Sequence, residues 1–233
     1  SDENDLTRVG RQLTGKTVVI VSTTSRVMSR QNLAMRTLVM ARAAKENGAS
    51  EVILVEPDLF YSAQDRGPHT DLGKTDFDRD VHDLKKFDGQ PFTGQLYAQL
   101  LHVAGVDRVI TVHNHSRSVQ RVFADIFEDR FHNLIPYELY ADYLLNANIV
   151  QHGQHGEGFV LCAPDKGARP FVTELFERLG LSKAKLVVLD KARSGERSVD
   201  ITLHPDFADA AEAVAGRDVV LLDDMVRTGS TVV

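Results

Sequence analysis

The chain has 233 residues, 42% of them hydrophobic and 26% charged, with a formal net charge of −6. That composition excludes a disordered, collagen-like or coiled-coil chain, the acidic balance argues against a general nucleic-acid binder, and no apolar run nears the ~20 residues of a membrane-spanning helix. The single Cys162 excludes an internal disulfide framework or a zinc ribbon, no signal-peptide pattern opens the chain, and the sequence reads as soluble and cytoplasmic.

The first motif in chain order is GRQLTGKT at 10–17, which fits the phosphate-loop pattern G-x-x-x-x-G-K-[ST]. Such a loop follows a strand and opens a helix. Here a polar segment precedes it and the strand-like TVVIVS (17–22) follows. The reading is a turn into a strand, with Lys16 solvated and no nucleotide role for Gly10, Gly15 or Lys16. Next, RAAKENGASEVILV (42–55) is an amphipathic stretch ending in glycine, then a polar link and a β-branched run. The pattern recurs at 100–112 (LLHVAGVDRVITV), 174–189 (ELFERLGLSKAKLVVL) and 211–222 (AEAVAGRDVVLL). Glycine just past a helix takes the left-handed cap cheaply. Near-continuous Val/Ile/Leu runs predict strands buried on both faces. With 17–22 and GFVLC (158–162), their alternation with helices predicts an α/β protein of mostly parallel sheet flanked by helices, in one sheet or two.

Residues 64–91 are Asp-rich. A polar excursion of that length inside an α/β unit reads as a functional lid or a mobile insertion. The polar, Gly-rich NANIVQHGQHGE (146–157) marks a domain boundary. The expected domains are 1–147 and 148–233, the second incomplete. Ser1 opens on a polar segment, and the chain stops at Val233 just after a strand and a Gly/Thr loop. A covering helix is expected there, so the sequence reads as a piece of a longer chain, truncated at both ends.

Chemistry concentrates at 219–231, VVLLDDMVRTGST. Four apolar residues bring a strand to its C-terminal edge, where open α/β sheets bind ligands. Asp223 and Asp224 suit ribose hydroxyls, or a cation on them. Thr228, Gly229, Ser230 and Thr231 can turn backbone N–H groups and hydroxyls onto a phosphate. Asp165, with Lys166 and Gly167, follows the strand at 158–162. It could bind Mg²⁺ or a sugar hydroxyl, cap the following helix, or do both. Lys191 and Arg193 fall just past the strand 186–190, on the polar loop ARSGERS. Two cations on a mobile loop can close over a phosphoryl group and stabilise its developing charge; in isolation they would read as a solvated basic turn. His113 and His115 alternate, so both face one way only at a strand end. A lone H-x-H is a weak metal signal, more often structural or at the surface. His152 and His155 read as linker histidines.

DDMVRTGST resembles the phosphoribosyl pyrophosphate loop V-D-D-x-x-x-T-G-G-T of type I phosphoribosyltransferases and ribose-phosphate pyrophosphokinases. Arg227 stands where an acidic or small residue is usual, and Ser230 replaces a glycine. The likeness to the pyrophosphokinases runs along nearly the whole chain. SDENDLTRVGRQLTGKTVVIVST (1–23) is similar to S-D-G-E…G-K-x-V-x-I-x-S-T, and FYSAQDR (60–66) to G-Y-A-R-Q-D-R. AGVDRVITVHNH (104–115) is similar to A-G-A-D-R-V-I-T-V-D-L-H, CAPDKGA (162–168) to S-P-D-x-G-x, and LDKAR (189–193) to D-K-x-R.

The resemblance implies two similar α/β domains of phosphoribosyltransferase-like fold with the site between them, in a homo-oligomer. It implies Mg²⁺-dependent transfer of diphosphate from ATP to the anomeric hydroxyl of ribose 5-phosphate, giving phosphoribosyl pyrophosphate and AMP. Lys191 and Arg193 are the implied transition-state stabilisers. Asp223, Asp224, Arg227, Thr228, Gly229, Ser230 and Thr231 are implied on ribose 5-phosphate, and Asp2, Gln64, Asp65 and His115 near ATP. His115 and Asp165 are implied at the metal. Neither nucleic acid nor membrane is an expected partner. The departures gather on the nucleotide side. Ala63 replaces an arginine, a loss of charge at a phosphate-binding position; Asn4 replaces a glutamate and His113 an aspartate, and 67–91 has no equivalent. They keep open a catalytically weak homologue that binds phosphosugar or nucleotide and regulates an active partner. A phosphoribosyltransferase would account for DDMVRTGST but not for the upstream likeness.

Overall fold

The structure, a computed structural model, describes residues 12–75, 78–147, 150, 153–193, 199–203 and 210–224, with backbone alone at 190–193, 199–203 and 210–211. The chain divides into two compact units, Ser1–Ile135 and Pro136–Val233.

The first unit runs β1 (Thr17–Val21), α1 (Arg30–Glu46), β2 (Glu51–Val55), α2 (Val81–Lys86), α3 (Thr93–Ala104), β3 (Arg108–Val112), α4 (Arg117–Phe127) and β4 (Phe131–Leu134). Its four strands pair in sequence order, all parallel. Ile20 lies opposite Leu54, Leu54 opposite Val109, and Val109 opposite Phe131. Right-handed crossovers in a sheet ordered this way collect the helices on one side, and α1 packs on α3 and α3 on α4. Ile20, Val52, Leu54 and Val109 meet Ala41, Leu101 and Phe123 in the core between sheet and helices. The segment before β1 is the predicted turn: Lys16 N–H donates to the Leu13 carbonyl at 2.9 Å, and Lys16 is exposed. The glycines that end the recurring pattern, Gly48, Gly105, Gly180 and Gly216, all take positive φ. At Gly105 the reason is steric as well as conformational: φ is 100°, and a Cβ would lie 2.5 Å from Lys45 Cγ.

The segment 64–91, expected as a lid or mobile insertion, is cross-linked around Arg79, whose side chain is 3% exposed. Its guanidinium donates to the carbonyls of Gly67 at 2.7 Å, His69 at 2.8 Å and Leu72 at 2.9 Å. It also pairs with Asp83 at 2.7 Å, and Arg66 reaches the same carboxylate at 2.8 Å. Both arginines lie over the Phe87 ring. Asp80 caps α2, and Arg121 of α4 holds the carbonyls of Lys74 and Thr75. A guanidinium carries five donors in one plane. In a stretch with so few apolar residues it takes over the organising part that a hydrophobic core plays elsewhere.

The second unit runs α5 (Tyr137–Asn146), β5 (Phe159–Ala163), α6 (Arg169–Leu179), β6 (Lys185–Arg193), β7 (Val199–Leu203), α7 (Ala210–Val214) and β8 (Asp218–Leu221). The strand order is β7-β6-β5-β8; β5 pairs parallel with both β6 and β8. All five residues of β5 are buried, as its unbroken apolar run predicts. Phe159, Leu161 and Ala163 pack against Leu144, Val172 and Leu175 from α5 and α6. The alternate residues Val160 and Cys162 pack on the other side with Val187, Ala213 and Val214. Helices therefore cover both faces of this sheet. Burial also pushes the Cys162 thiol up to about 11. Helix α5 belongs to this unit by its packing, whereas the boundary read from the sequence, 147/148, lies one helix further on.

Two strands go beyond the sequence expectation. β4 (FHNL) is half-buried and too polar to stand out. β7 lies antiparallel to the far part of β6. The loop expected from residue 191 is therefore corrected: β6 runs on through Arg193, with Lys191 opposite Ile201 and Arg193 opposite Val199. A β-branched partner strand, VDITL, supplies the ladder that keeps the polar end of β6 extended.

Candidate functional site

Candidate chemistry gathers at two places, one in each unit. In the first unit it lies at the carboxyl ends of β2 and β3. Gln64 is exposed, and its carbonyl accepts from the Gly94 N–H at 3.0 Å. A side chain at Gly94 would be tight, since a Cβ would sit 3.0 Å from Val119 Cγ2 and 3.2 Å from that same carbonyl oxygen. Asp65 is tied to the start of α4. Its Oδ2 accepts from Ser116 Oγ at 2.9 Å, its backbone carbonyl accepts from Ser118 Oγ at 2.8 Å, and its Oδ1 pairs with Arg66 at 3.1 Å. Ser116 is also the N-cap of α4, accepting from the Val119 N–H. The structure thus brings Gln64 and Asp65 alongside the turn that carries His115. Each carboxylate oxygen of Asp65 has a protein partner, so Asp65 braces that turn.

The turn itself is strained and firmly held. His113 has a φ of 49°, a left-handed conformation that costs a non-glycine residue on the order of 1 kcal/mol. Its N–H donates to the Leu134 carbonyl at 2.8 Å. His113 and His115 are half-exposed on either side of Asn114, which is 6% exposed. Ala63, the position of the missing arginine, is exposed.

Glu56, at the end of β2, carries no signal in the sequence reading. It is fully buried; its carboxylate accepts from the Phe60 N–H at 2.9 Å and from Tyr97 O–H at 3.1 Å. Burial outweighs these bonds and a further one from Ser22, and pushes the carboxyl up to about 7. The same pairing, after burial, holds the Tyr97 phenol above its ordinary value. Tyr97 also packs edge-on against Tyr61, itself at a φ of 63°. The only signal available was a glutamate closing an apolar strand, which by itself reads as a solvated strand end.

In the second unit, β6, β5 and β8 are parallel neighbours, so their carboxyl ends share one edge. Asp165 follows β5. Its Oδ1 accepts from the N–H groups of Gly167 at 2.9 Å and Ala168 at 3.1 Å, so it does brace the turn into α6. Asp223 and Asp224 follow β8. Burial raises the Asp223 carboxyl above its ordinary value, and the charges of Asp224 and Asp165 push the same way. Asp165 and Asp223 are therefore close enough to feel each other although far apart in sequence. The backbone of Lys191 and Arg193 lies on β6 beyond Val188, where the pairing with β5 ends and that with β7 takes over. Asp2, Arg227, Thr228, Gly229, Ser230 and Thr231 lie outside the described residues, as do Asn4 and His152. Among the described residues no three His, Cys, Asp or Glu side chains are arranged to hold a metal ion together.

Two family models match the chain: the N-terminal domain of ribose phosphate pyrophosphokinase over residues 1–72, and the phosphoribosyl transferase domain over 138–233. Ribose-phosphate pyrophosphokinase 1 of Streptococcus pyogenes serotype M1 is 30% identical over 232 residues, and the protein of that name from Streptococcus mutans serotype c is 29% identical. Each comparison takes in all of this chain, which spans 61% of the length of these curated relatives. Among solved structures, phosphoribosylpyrophosphate synthetase from Mycobacterium smegmatis has a TM-score of 0.67 at 22% identity, over 97% of this chain and 60% of that one. The structural likeness is one of fold: helix-flanked parallel sheets.

Proposed function

Because the chain belongs to the ribose-phosphate pyrophosphokinase family, we propose that the protein transfers diphosphate from ATP to the anomeric hydroxyl of ribose 5-phosphate. The observation that supports this reading most is the placement of Asp165, Asp223 and the end of β6 on the same carboxyl edge of one sheet, where Asp165 and Asp223 feel each other's charge. Open α/β sheets bind ligands at such edges.

On this reading Asp223, Asp224 and the segment from Arg227 to Thr231 grip the pentose and its phosphate. The anomeric oxygen forms a bond to the β-phosphorus of ATP, the bond from that phosphorus to the oxygen shared with the α-phosphorus breaks, and AMP leaves. The hydroxyl proton passes to water. Lys191 and Arg193 stabilise charge on the phosphoryl oxygens, and alignment supplies much of the rest. Gln64 and His115, braced by Asp65 and joined by Asp2, form the nucleotide side. Hard carboxylate oxygens suit Mg²⁺, which keeps several of its waters. With Oδ1 of Asp165 taken by two N–H groups, Oδ2 is the atom that would hold such a cation; on the nucleotide side, His115 is the proposed metal-associated residue. When bound, the cation neutralises phosphate charge. A homo-oligomer in the cytoplasm completes the proposal; no helix among the described residues is long and apolar enough to cross a membrane.

The exposed Ala63 favours one rival, the weak regulatory homologue. Incubation with Mg-ATP and ribose 5-phosphate, followed by chromatography, separates the readings. Equal amounts of AMP and phosphoribosyl pyrophosphate are expected, abolished by chelator and by Lys191→Ala. Retained binding of ATP or sugar phosphate without AMP would overturn the proposal in favour of a regulator. Pyrophosphate released from phosphoribosyl pyrophosphate in the presence of a nucleobase would overturn it in favour of a phosphoribosyltransferase.

A further inference from the structure

The β3–β4 ladder pairs Thr111 with Asn133 and Val112 with Leu134. Beyond it the chain bends at His113, φ 49°, and Asn114 swings back over the Asn133 side chain. Asn133 then grips both backbone groups of Asn114. Its Oδ1 accepts from the Asn114 N–H at 2.8 Å, and its Nδ2 donates to the Asn114 carbonyl at 3.3 Å. Gln120 of α4 donates to that carbonyl from another direction, at 2.6 Å. Asn114 closes the turn with its own side chain, Oδ1 accepting from the Ser116 N–H at 3.0 Å. A left-handed residue persists only where its surroundings over-determine it. Here three side-chain amides do so, and the residue they clamp separates His113 from His115.

We propose that Asn133 is a positioning residue for the nucleotide side, acting through the Asn114 backbone to fix the turn that carries His115. This rests on the nucleotide role proposed above for His115. An asparagine amide suits the task because it offers a donor and an acceptor side by side, matching the two groups of one peptide residue. It extends the sheet edge by a side-chain bridge where the main-chain ladder has ended.

The test is a double-mutant cycle on the full chain with Asn133→Ala and His115→Ala, read by calorimetric titration with Mg-ATP. Asn133→Ala is expected to weaken ATP binding about tenfold or more and to leave ribose 5-phosphate binding within twofold. In the His115→Ala background it should add less than about twofold. Amide exchange at Asn114 gives a readout that needs no ligand, and Asn133→Ala should lower its protection at least tenfold. Gln120→Leu, which cuts one bond to the same carbonyl from α4, should produce a smaller change of the same kind and guards against a fold lost in Asn133→Ala. Full additivity with His115→Ala, or unchanged Asn114 protection in both variants, overturns the proposal. If the parent protein binds no ATP while Asn114 protection falls as expected, the nucleotide reading fails and the clamp stands.

Discussion

Replacing Arg79 by methionine tests what holds the 64–91 element together. Methionine keeps most of the stem and removes the guanidinium. Asp83 has a side chain only 9% exposed, but it retains Arg66 at 2.8 Å, so its charge is not abandoned. What it loses is one charge-assisted hydrogen bond, about 1.5–3 kcal/mol. The carbonyls of Gly67 and Leu72 lose a donor in half-buried surroundings, at about 1 kcal/mol each. The His69 carbonyl is exposed and turns to water. Together these come to about 4 kcal/mol, close to a thousandfold in the equilibrium for local opening. Native-state hydrogen exchange reads it directly, because the Gly67 N–H donates to the Leu72 carbonyl and the Leu72 N–H to the His69 carbonyl inside the element. Those two amides are expected to fall to the exchange rates of an open chain. The amides of β2, buried in the main sheet, should stay within about threefold of the parent. Unchanged protection at Gly67 and Leu72, or an equal loss in β2, would refute the view of Arg79 as a local keystone.

Glu56→Gln should change how stability depends on pH. The Glu56 carboxyl titrates near 7 in the fold against an ordinary 4.5, so between those values the native state holds more protons than the unfolded one. Stability of the parent therefore falls as pH rises from about 5 through 7 and levels off above. The loss relative to Glu56→Gln reaches about 3 kcal/mol. Urea unfolding of both proteins at pH 5 and pH 8 checks it, and parallel profiles would rule it out. Ser116→Ala removes both the α4 cap and the Asp65 bond. It should cost about 2 kcal/mol in thermal or urea unfolding; a loss under about 0.5 kcal/mol would mean that water replaces the hydroxyl.

Much of the strand and helix pattern was legible because its causes are local. The β5 run FVLCA is buried throughout because every residue in it is apolar, and glycines follow the helices at Gly48, Gly105 and Gly180 because glycine takes the left-handed conformation there at little cost. β4 was illegible for a local reason too: a short edge strand with half-buried residues has no periodicity to show. β7 and the extension of β6 depended on each other, since neither VDITL nor the polar end of β6 is compelling until the two pair. At the candidate site the residue types were legible at Asp65, Asp165 and Asp223. Their company was not, because Ser116 stands 51 residues from Asp65 and Tyr97 stands 41 from Glu56.

Amino-acid order alone was enough to predict an α/β chain and to nominate residues for phosphate and sugar. Side-chain periodicity, cap chemistry and motif spacing act over a few residues and survive without a fold. Only folding decided that Asp65 braces a turn, that a glutamate is sealed inside the first sheet, that Arg79 gathers an insertion, and that Asn133 holds Asn114. Each of those depends on the free energy of a polar group removed from water, and that cost exists only after distant strands and helices have closed around it.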